Sequence, residues 1–323
     1  MVKPSIFLTR RWPDAVEARL AEHFEVTLNR SDTPLPRQEL REALGRFDAF
    51  LPTVTDDLSA ATLDVPQARA RIIANYGAGH EHIDLETAKS RGITVTNTPD
   101  VLSECTADLA MTLLMMAARR TTEGEREMKY GQWTGWRPTH LMGTKVSGKV
   151  IGLVGFGRIG REMARRAHHG FGMKVIVYNR STVDPEVLAR YGATQAESLE
   201  AMLPLCDFVS LHCPGGKETR KLMNAERLGL MKKDAFLINT ARGNVVDEQA
   251  LAQALWFETI GGAALDVYAE EPRIHPDLAE CDNLVMLPHL GSATRETREA
   301  MGFRVLDNLT DFFEGRSPRD RLI

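Results

Sequence analysis

Along the chain, hydrophobic and polar positions alternate between two periods. Short apolar or β-branched runs at 5–9, 25–29, 47–52, 70–76 and 93–97 read as strands, while 15–24 and 37–46 carry apolar residues at helical spacing. Strand and helix in alternation predict a parallel sheet with helices on both faces. Pro99 closes this series, because proline cannot continue a sheet ladder and biases Thr98 towards an extended backbone. One helical pattern rich in Ala, Leu and Met then runs over 103–129, long enough to lead from one domain to the next. A second series follows, with strands expected at 150–155, 174–178, 208–212, 235–239, 262–267 and 283–287. Six strands with intervening helices make a doubly wound dinucleotide fold. The tail at 294–313 is helical with no strand left to pair with, so it is expected to return to the first domain and make that domain discontinuous. The halves share a layout and not a sequence repeat.

Length and composition agree with this division. A chain of 323 residues exceeds what one core usually organises, and 43% apolar with 26% charged residues is ordinary for a folded protein. Forty basic against 44 acidic side chains, without a long run of either sign, argue against nucleic acid or an anionic membrane as partner. Residues 1–13 read as a first strand interrupted by Arg10 and Arg11, not as a signal peptide, and the apolar run at 109–118 falls short of the ~20 residues a bilayer span needs. Cys105, Cys206, Cys213 and Cys281 are scattered without metal or disulfide spacing, which fits a reducing cytoplasm.

The chemistry begins at VIGLVGFGRIG, 150–160, where GxGxxG falls on Gly155, Gly157 and Gly160 between a buried strand and a helix expected over 159–169. The first glycine permits the tight turn, the second lets the backbone approach a pyrophosphate, and the third lets helix and strand pack closely. Free N–H groups and the dipole at the helix start favour phosphate. Arg158 either adds a charge-assisted contact to the pyrophosphate or is a solvated surface arginine. Three stretches at the carboxyl ends of later strands, NTARG at 239–243, LDVYAEEP at 265–272 and LPHLGS at 287–292, bring Arg242, Asp266, Glu271 and His289 to the end of the sheet where such folds bind ligands.

From Tyr76 to Thr297 these motifs, in this order, resemble the D-specific 2-hydroxyacid dehydrogenase family. The resemblance implies an α/β protein of two doubly wound parallel-sheet domains, a Rossmann-type cofactor domain at 99–290 and a flavodoxin-like substrate domain at 1–98 and 291–323, with a cleft between them. It implies Arg242, Glu271 and His289 as the catalytic set, with Glu271 preferred to its neighbour Glu270 by its spacing to Pro272. Hydride arrival at a keto carbon builds negative charge on its oxygen, and a protonated His289 can supply the proton. Glu271 would fix the ring and stabilise its protonated form, and Arg242 offers a planar fork for a carboxylate. Asp266 matches the acidic residue that holds the nicotinamide carboxamide, a strand-end cap being the alternative. Further cofactor contacts implied are Thr106, Phe156, Ile159, Cys213, Pro214, Thr219, Thr240, Ala241 and Gly291. Ser292 is implied at the substrate.

In YGAGHEHID, 76–84, the resemblance assigns Ala78 and Gly79 to a loop whose amides hold the substrate carboxylate. His80 and His82 lack an acidic or cysteine partner at ligand spacing, so no metal is expected. GQWTGWRP, 131–138, resembles the segment of glyoxylate and hydroxypyruvate reductases in which a tryptophan, here Trp136, reaches the other subunit's active site. The alternative is that Trp133 and Trp136 only pack the homodimer interface. After the strand at 174–178, where a carboxylate would hold the ribose 2'-hydroxyl of NAD, stand Asn179, Arg180 and Ser181. NADP(H) is therefore the expected cofactor, with NAD(H) as the alternative. The activity implied is reduction of a small 2-keto acid to the D-2-hydroxy acid, most specifically glyoxylate and hydroxypyruvate. A dehydrogenase of bulkier keto acids is the second reading, and a dinucleotide-sensing corepressor a third from another class.

Overall fold

The computed structural model describes residues 3–323. The chain divides into two compact units, one running up to Leu102 and resuming at Ser292–Ile323, the other spanning Ser103–Gly291.

In the first unit the strands are β1 (Ser5–Leu8), β2 (Glu25–Leu28), β3 (Ala49–Leu51), β4 (Ile72–Ala74) and β5 (Thr94–Thr96). All pair in parallel in the order β2-β1-β3-β4-β5. The inner strands β3 and β4 are buried at every position, as a sheet covered on both faces requires. The helix Arg37–Arg46 turns Leu40, Ala43 and Leu44 to the core, an i, i+3, i+4 stripe. The terminal helix Arg295–Phe313 is capped by Thr294, whose hydroxyl accepts the N–H of Thr297. It buries Met301, Val305, Leu306 and Leu309 in the same cluster as Val16 and Leu20, and Tyr76 donates its hydroxyl to the carbonyl of Arg298.

In the second unit β6 (Val150–Val154), β7 (Lys174–Tyr178), β8 (Ala193–Gln195), β9 (Phe208–Leu211), β10 (Phe236–Asn239), β11 (Gly262–Leu265) and β12 (Leu284–Met286) form one parallel sheet. Its order is β12-β11-β10-β9-β6-β7-β8, so the winding reverses between β6 and β9. That reversal opens a crevice beyond the carboxyl ends of these two strands.

Three sequence expectations need correction here. The sheet has a seventh strand, β8, a three-residue edge strand after Gly192 whose polar Thr194 and Gln195 hid it among loop residues. The helix expected over 103–129 is two, Ser103–Ala118 and Thr121–Lys129. Arg120 between them is left-handed at φ 52°, and the Ala118 carbonyl accepts Thr144 N–H at 2.7 Å. Gly143 admits that docking, since a Cβ there would sit 2.3 Å from the same oxygen. Finally, the fingerprint helix covers Arg158–Arg165 and closes with a π-type turn at Arg166–Gly170.

Candidate active site

At the end of β6, Gly155 has φ +95°, and a Cβ on it would lie 2.7 Å from the backbone nitrogen of Cys213. A Cβ on Gly160 would lie 2.3 Å from the Gly155 carbonyl oxygen. Both glycines are thus demanded by backbone packing. Gly157 has nothing within 4 Å of its Cβ position, so the turn is open there. Phe156 is buried, Ile159 half-buried, and Arg158 exposed. Beyond the carboxyl ends of β9 and β10, the next strands in the sheet, His212 Nδ1 and Thr240 Oγ1 are buried side-chain atoms without a hydrogen-bond partner. Burial holds the His212 imidazole down at about 4 and pushes the Cys213 thiol up to about 11, so both stay neutral near pH 7. A glycine cradle, an open face and orphaned polar atoms at its rim fit a dinucleotide.

The rim residues are held by local bonds. Asn179 accepts the N–H of Phe156 at 3.3 Å and donates through Nδ2 to the carbonyl and hydroxyl oxygens of Ser181, both at 3.0 Å. Its amide therefore shapes the loop. Arg180 forms an ion pair with Glu218. Thr219 Oγ1 donates to the Pro214 carbonyl, and buried Thr106 lies beside Gly291, whose Cβ position is 3.5 Å from Thr106 Cγ2. Ala241 is buried, and its N–H is taken by Asn239 Oδ1.

Farther along the same sheet end, the loop after β12 carries His289 with φ 57°. Several bonds hold this unfavourable backbone: His289 N–H donates to the Asp266 carbonyl at 2.9 Å, and the Asp266 carboxylate takes the N–H groups of Leu290 at 2.6 Å and Gly291 at 2.8 Å. Asp266, 1% exposed, is raised above the usual carboxylate range chiefly by burial. In this structure it anchors the histidine loop, the capping role that the sequence had left as the alternative to a carboxamide ligand.

His289 Nδ1 lies 2.7 Å from Glu271 Oε2, and Glu271 Oε1 accepts the N–H of Tyr268 at 3.0 Å. Glu271 is exposed as a residue, yet its side chain is 29% exposed. Burial acts to raise its pKa; the bond and charge of His289, the Tyr268 N–H and the charge of Arg242 outweigh it and hold the carboxyl below its ordinary value. Glu270 instead pairs with Arg273. Arg242 follows β10 and donates through one guanidinium nitrogen to the Ala241 carbonyl at 2.7 Å.

Sequence reasoning passed over the residues that dock these loops on each other. A Cβ on Gly243 would lie 1.8 Å from the carbonyl carbon of Tyr268, so only glycine lets the Arg242 loop approach the Glu271 loop this closely. Glu248 accepts the N–H of Ala269 at 2.7 Å, and Tyr268 donates its hydroxyl to the Leu287 carbonyl at 3.0 Å. The glycine directly after Arg242 was the available signal.

In the first unit, Asn75 donates to the carbonyls of Gly77 and Gly79, and Asn97 to that of Ala78, fixing the loop after β4 by its carbonyl side. Ser292 is partly buried, with its carbonyl accepting Thr294 N–H. Trp136, in the other unit, is 82% exposed in the single chain. Among the described residues no group of three His, Cys, Asp or Glu side chains is arranged to hold a metal, and no helix is long and apolar enough to cross a membrane.

A crevice at the sheet reversal and a carboxylate-oriented histidine beside an arginine define an oxidoreductase with a nicotinamide dinucleotide cofactor. Residues 111–291 match the model of the D-isomer specific 2-hydroxyacid dehydrogenase NAD binding domain. The chain is 44% identical over 321 residues to a glyoxylate reductase of Thermococcus kodakarensis, covering 98% of this chain and 95% of that one. To the glyoxylate reductase of Pyrococcus furiosus it is 43% identical over 324 residues, covering 98% and 94%. Among solved structures, an NADPH-dependent glyoxylate/hydroxypyruvate reductase of Sinorhizobium meliloti in complex with NADP and malonate superimposes with a TM-score of 0.87 at 32% identity, covering 99% of this chain and 97% of that one. The chain belongs to the D-isomer specific 2-hydroxyacid dehydrogenase family, whose reaction interconverts 2-keto and 2-hydroxy acids.

Proposed function

We propose that this protein reduces glyoxylate to glycolate and hydroxypyruvate to D-glycerate, using NADPH in preference to NADH, as a cytoplasmic homodimer. The observation that carries the reading is the 2.7 Å bond from Glu271 to His289 beside Arg242. The names of the relatives support the substrates, and four free cysteines suit a reducing compartment.

On this reading the unit Ser103–Gly291 holds the dinucleotide, and the loop bearing Ala78 and Gly79, with Ser292, belongs to the substrate-binding unit. The reduced nicotinamide, when bound, supplies the hydride that adds to C2 of the keto acid. Arg242 pairs with the substrate carboxylate and polarises the carbonyl. His289, protonated, gives its Nε2 proton to the carbonyl oxygen as charge builds there, leaving a neutral ring and a 2-hydroxy acid. Glu271 keeps Nδ1 protonated, which orients Nε2 towards the substrate. Trp136, exposed on the single chain, reaches the partner's site and limits the length of the keto acid. Arg180 takes the 2'-phosphate, and Asn179 stands where a carboxylate would hold the ribose 2'-hydroxyl of NAD.

A panel of 2-keto acids assayed with NADPH and NADH, with chiral analysis of the glycerate formed, tests the proposal. Glyoxylate and hydroxypyruvate with NADPH should give the highest kcat/KM and D-glycerate. A preference for bulky keto acids, or L-glycerate, would overturn it.

A further inference from the structure

The Arg180–Glu218 ion pair has a placement that the proposed reaction does not use. Arg180 stands two residues beyond β7, and Glu218 lies in the loop that follows β9. In the sheet these strands flank β6, whose end carries the fingerprint turn. The pair therefore runs from one neighbouring strand's loop to the other's, across the end of the strand where the phosphates of a dinucleotide bind. Both side chains are far out in solvent, at 86% and 75% exposure, so packing does not explain their meeting. Among the described residues, Glu218 is the ion-pair partner of the cation that stands where an adenosine ribose is read.

We propose that Glu218 is a specificity-determining residue that sets how strongly the protein distinguishes a 2'-phosphorylated adenosine ribose from a plain one. This rests on the reading of Arg180 as the 2'-phosphate ligand. Before ligand binds, Glu218 neutralises Arg180 and holds it over the crevice. A 2'-phosphate must displace the carboxylate from the guanidinium and then tolerate its charge nearby, whereas a 2'-hydroxyl meets neither cost. Exposed ion pairs are weak and screened by salt, so the carboxylate moderates the preference without abolishing it. Loss of the pair and of the repulsion together should change affinity by about three- to tenfold.

The test is calorimetric titration of the intact protein with 2',5'-ADP and with 5'-AMP, which needs no turnover, for wild type, Glu218→Gln, Arg180→Ala and the double variant. Glu218→Gln should bind 2',5'-ADP about three- to tenfold more tightly, with 5'-AMP changed less than about twofold, and the gain should shrink at high salt. In the Arg180→Ala background most of that gain should vanish, because the pair it releases is gone. If wild type prefers 2',5'-ADP, loses that preference in Arg180→Ala, and is indifferent to Glu218→Gln, the proposal for Glu218 is wrong while the reading of Arg180 stands. If Arg180→Ala leaves 2',5'-ADP binding unchanged, the reading of Arg180 fails and takes this proposal with it. Circular dichroism of each variant separates a binding change from misfolding, and should Glu218→Gln misfold, Glu218→Ser applies the same charge test.

Discussion

Replacing Glu271 with Gln separates the electrostatic role of the carboxylate from its shape. In the native site Oε2 faces His289 Nδ1 at 2.7 Å while Oε1 holds Tyr268 N–H at 3.0 Å, so both oxygens are acceptors. An amide has one oxygen. Pointing it at Tyr268 turns an NH2 group on Nδ1, which opposes the protonated ring; pointing it at Nδ1 leaves the Tyr268 N–H facing an NH2 group. Either way a charge-assisted bond worth about 1.5 to 3 kcal/mol is lost, and kcat/KM for reduction should fall about 10- to 150-fold. Steady-state kcat/KM with glyoxylate reads this out, with dinucleotide affinity and the circular dichroism spectrum measured separately to exclude damage to the fold. A kcat/KM within about twofold of wild type, equivalent to ~0.4 kcal/mol, would refute the coupling.

Arg242→Lys keeps the charge but loses the planar fork, and kcat/KM for the keto acid should fall about 10- to 150-fold; a near-normal value would make Arg242 a surface cation. Gly243→Ala puts a Cβ 1.8 Å from the Tyr268 backbone, so the two loops must separate, and a cost of about 1 to 3 kcal/mol or more should appear as a lowered Tm together with lost activity. An unchanged Tm would show that the loops dock less closely than described. His212, held at about 4 against an ordinary 6.5, stays neutral in the fold while the unfolded chain takes up a proton. Stability should therefore be undiminished above pH 6.5 and decline by up to about 3 kcal/mol as pH falls to 4, and His212→Gln should remove that part of the decline in urea unfolding. An equally steep decline in the variant would place the titration elsewhere.

The parts of the fold legible in the sequence are those that a local pattern dictates. β3, β4, β9, β10 and β11 announce themselves because each is buried at every position and reads as an apolar run, and the other predicted strands do so by their β-branched and apolar residues. β8 escapes because an edge strand needs little apolar content: Thr194 is exposed and only Ala193 is buried. The break after Ala118 is invisible because Arg119 and Arg120 are good helix formers; a distant segment, Gly143–Thr144, imposes the stop by taking the carbonyl of Ala118. At the site, the types Arg, Glu and His and their strand-end positions could be read directly. The choice of Glu271 over Glu270 rested on the resemblance, by spacing to Pro272; its physical ground lies in the folded loop, where Glu271 meets His289 and Glu270 meets Arg273. Asp266 shows the same limit from the other side, because its hold on Leu290 and Gly291 depends on a turn that no spacing rule specifies. Glu218 carries no local signal, being one charged residue in a polar loop whose partner lies 38 positions away.

In the proposed reaction His289 supplies the proton during hydride transfer to a 2-keto acid. The most direct test follows NADPH consumption with glyoxylate in wild type and in His289→Ala, alongside the Kd for NADPH measured by fluorescence. His289→Ala should lose about 100- to 10,000-fold in turnover with the Kd essentially unchanged, since general acid catalysis typically contributes that much and the imidazole is assigned to the reacting carbonyl, not to the dinucleotide. Wild-type turnover in His289→Ala would contradict it.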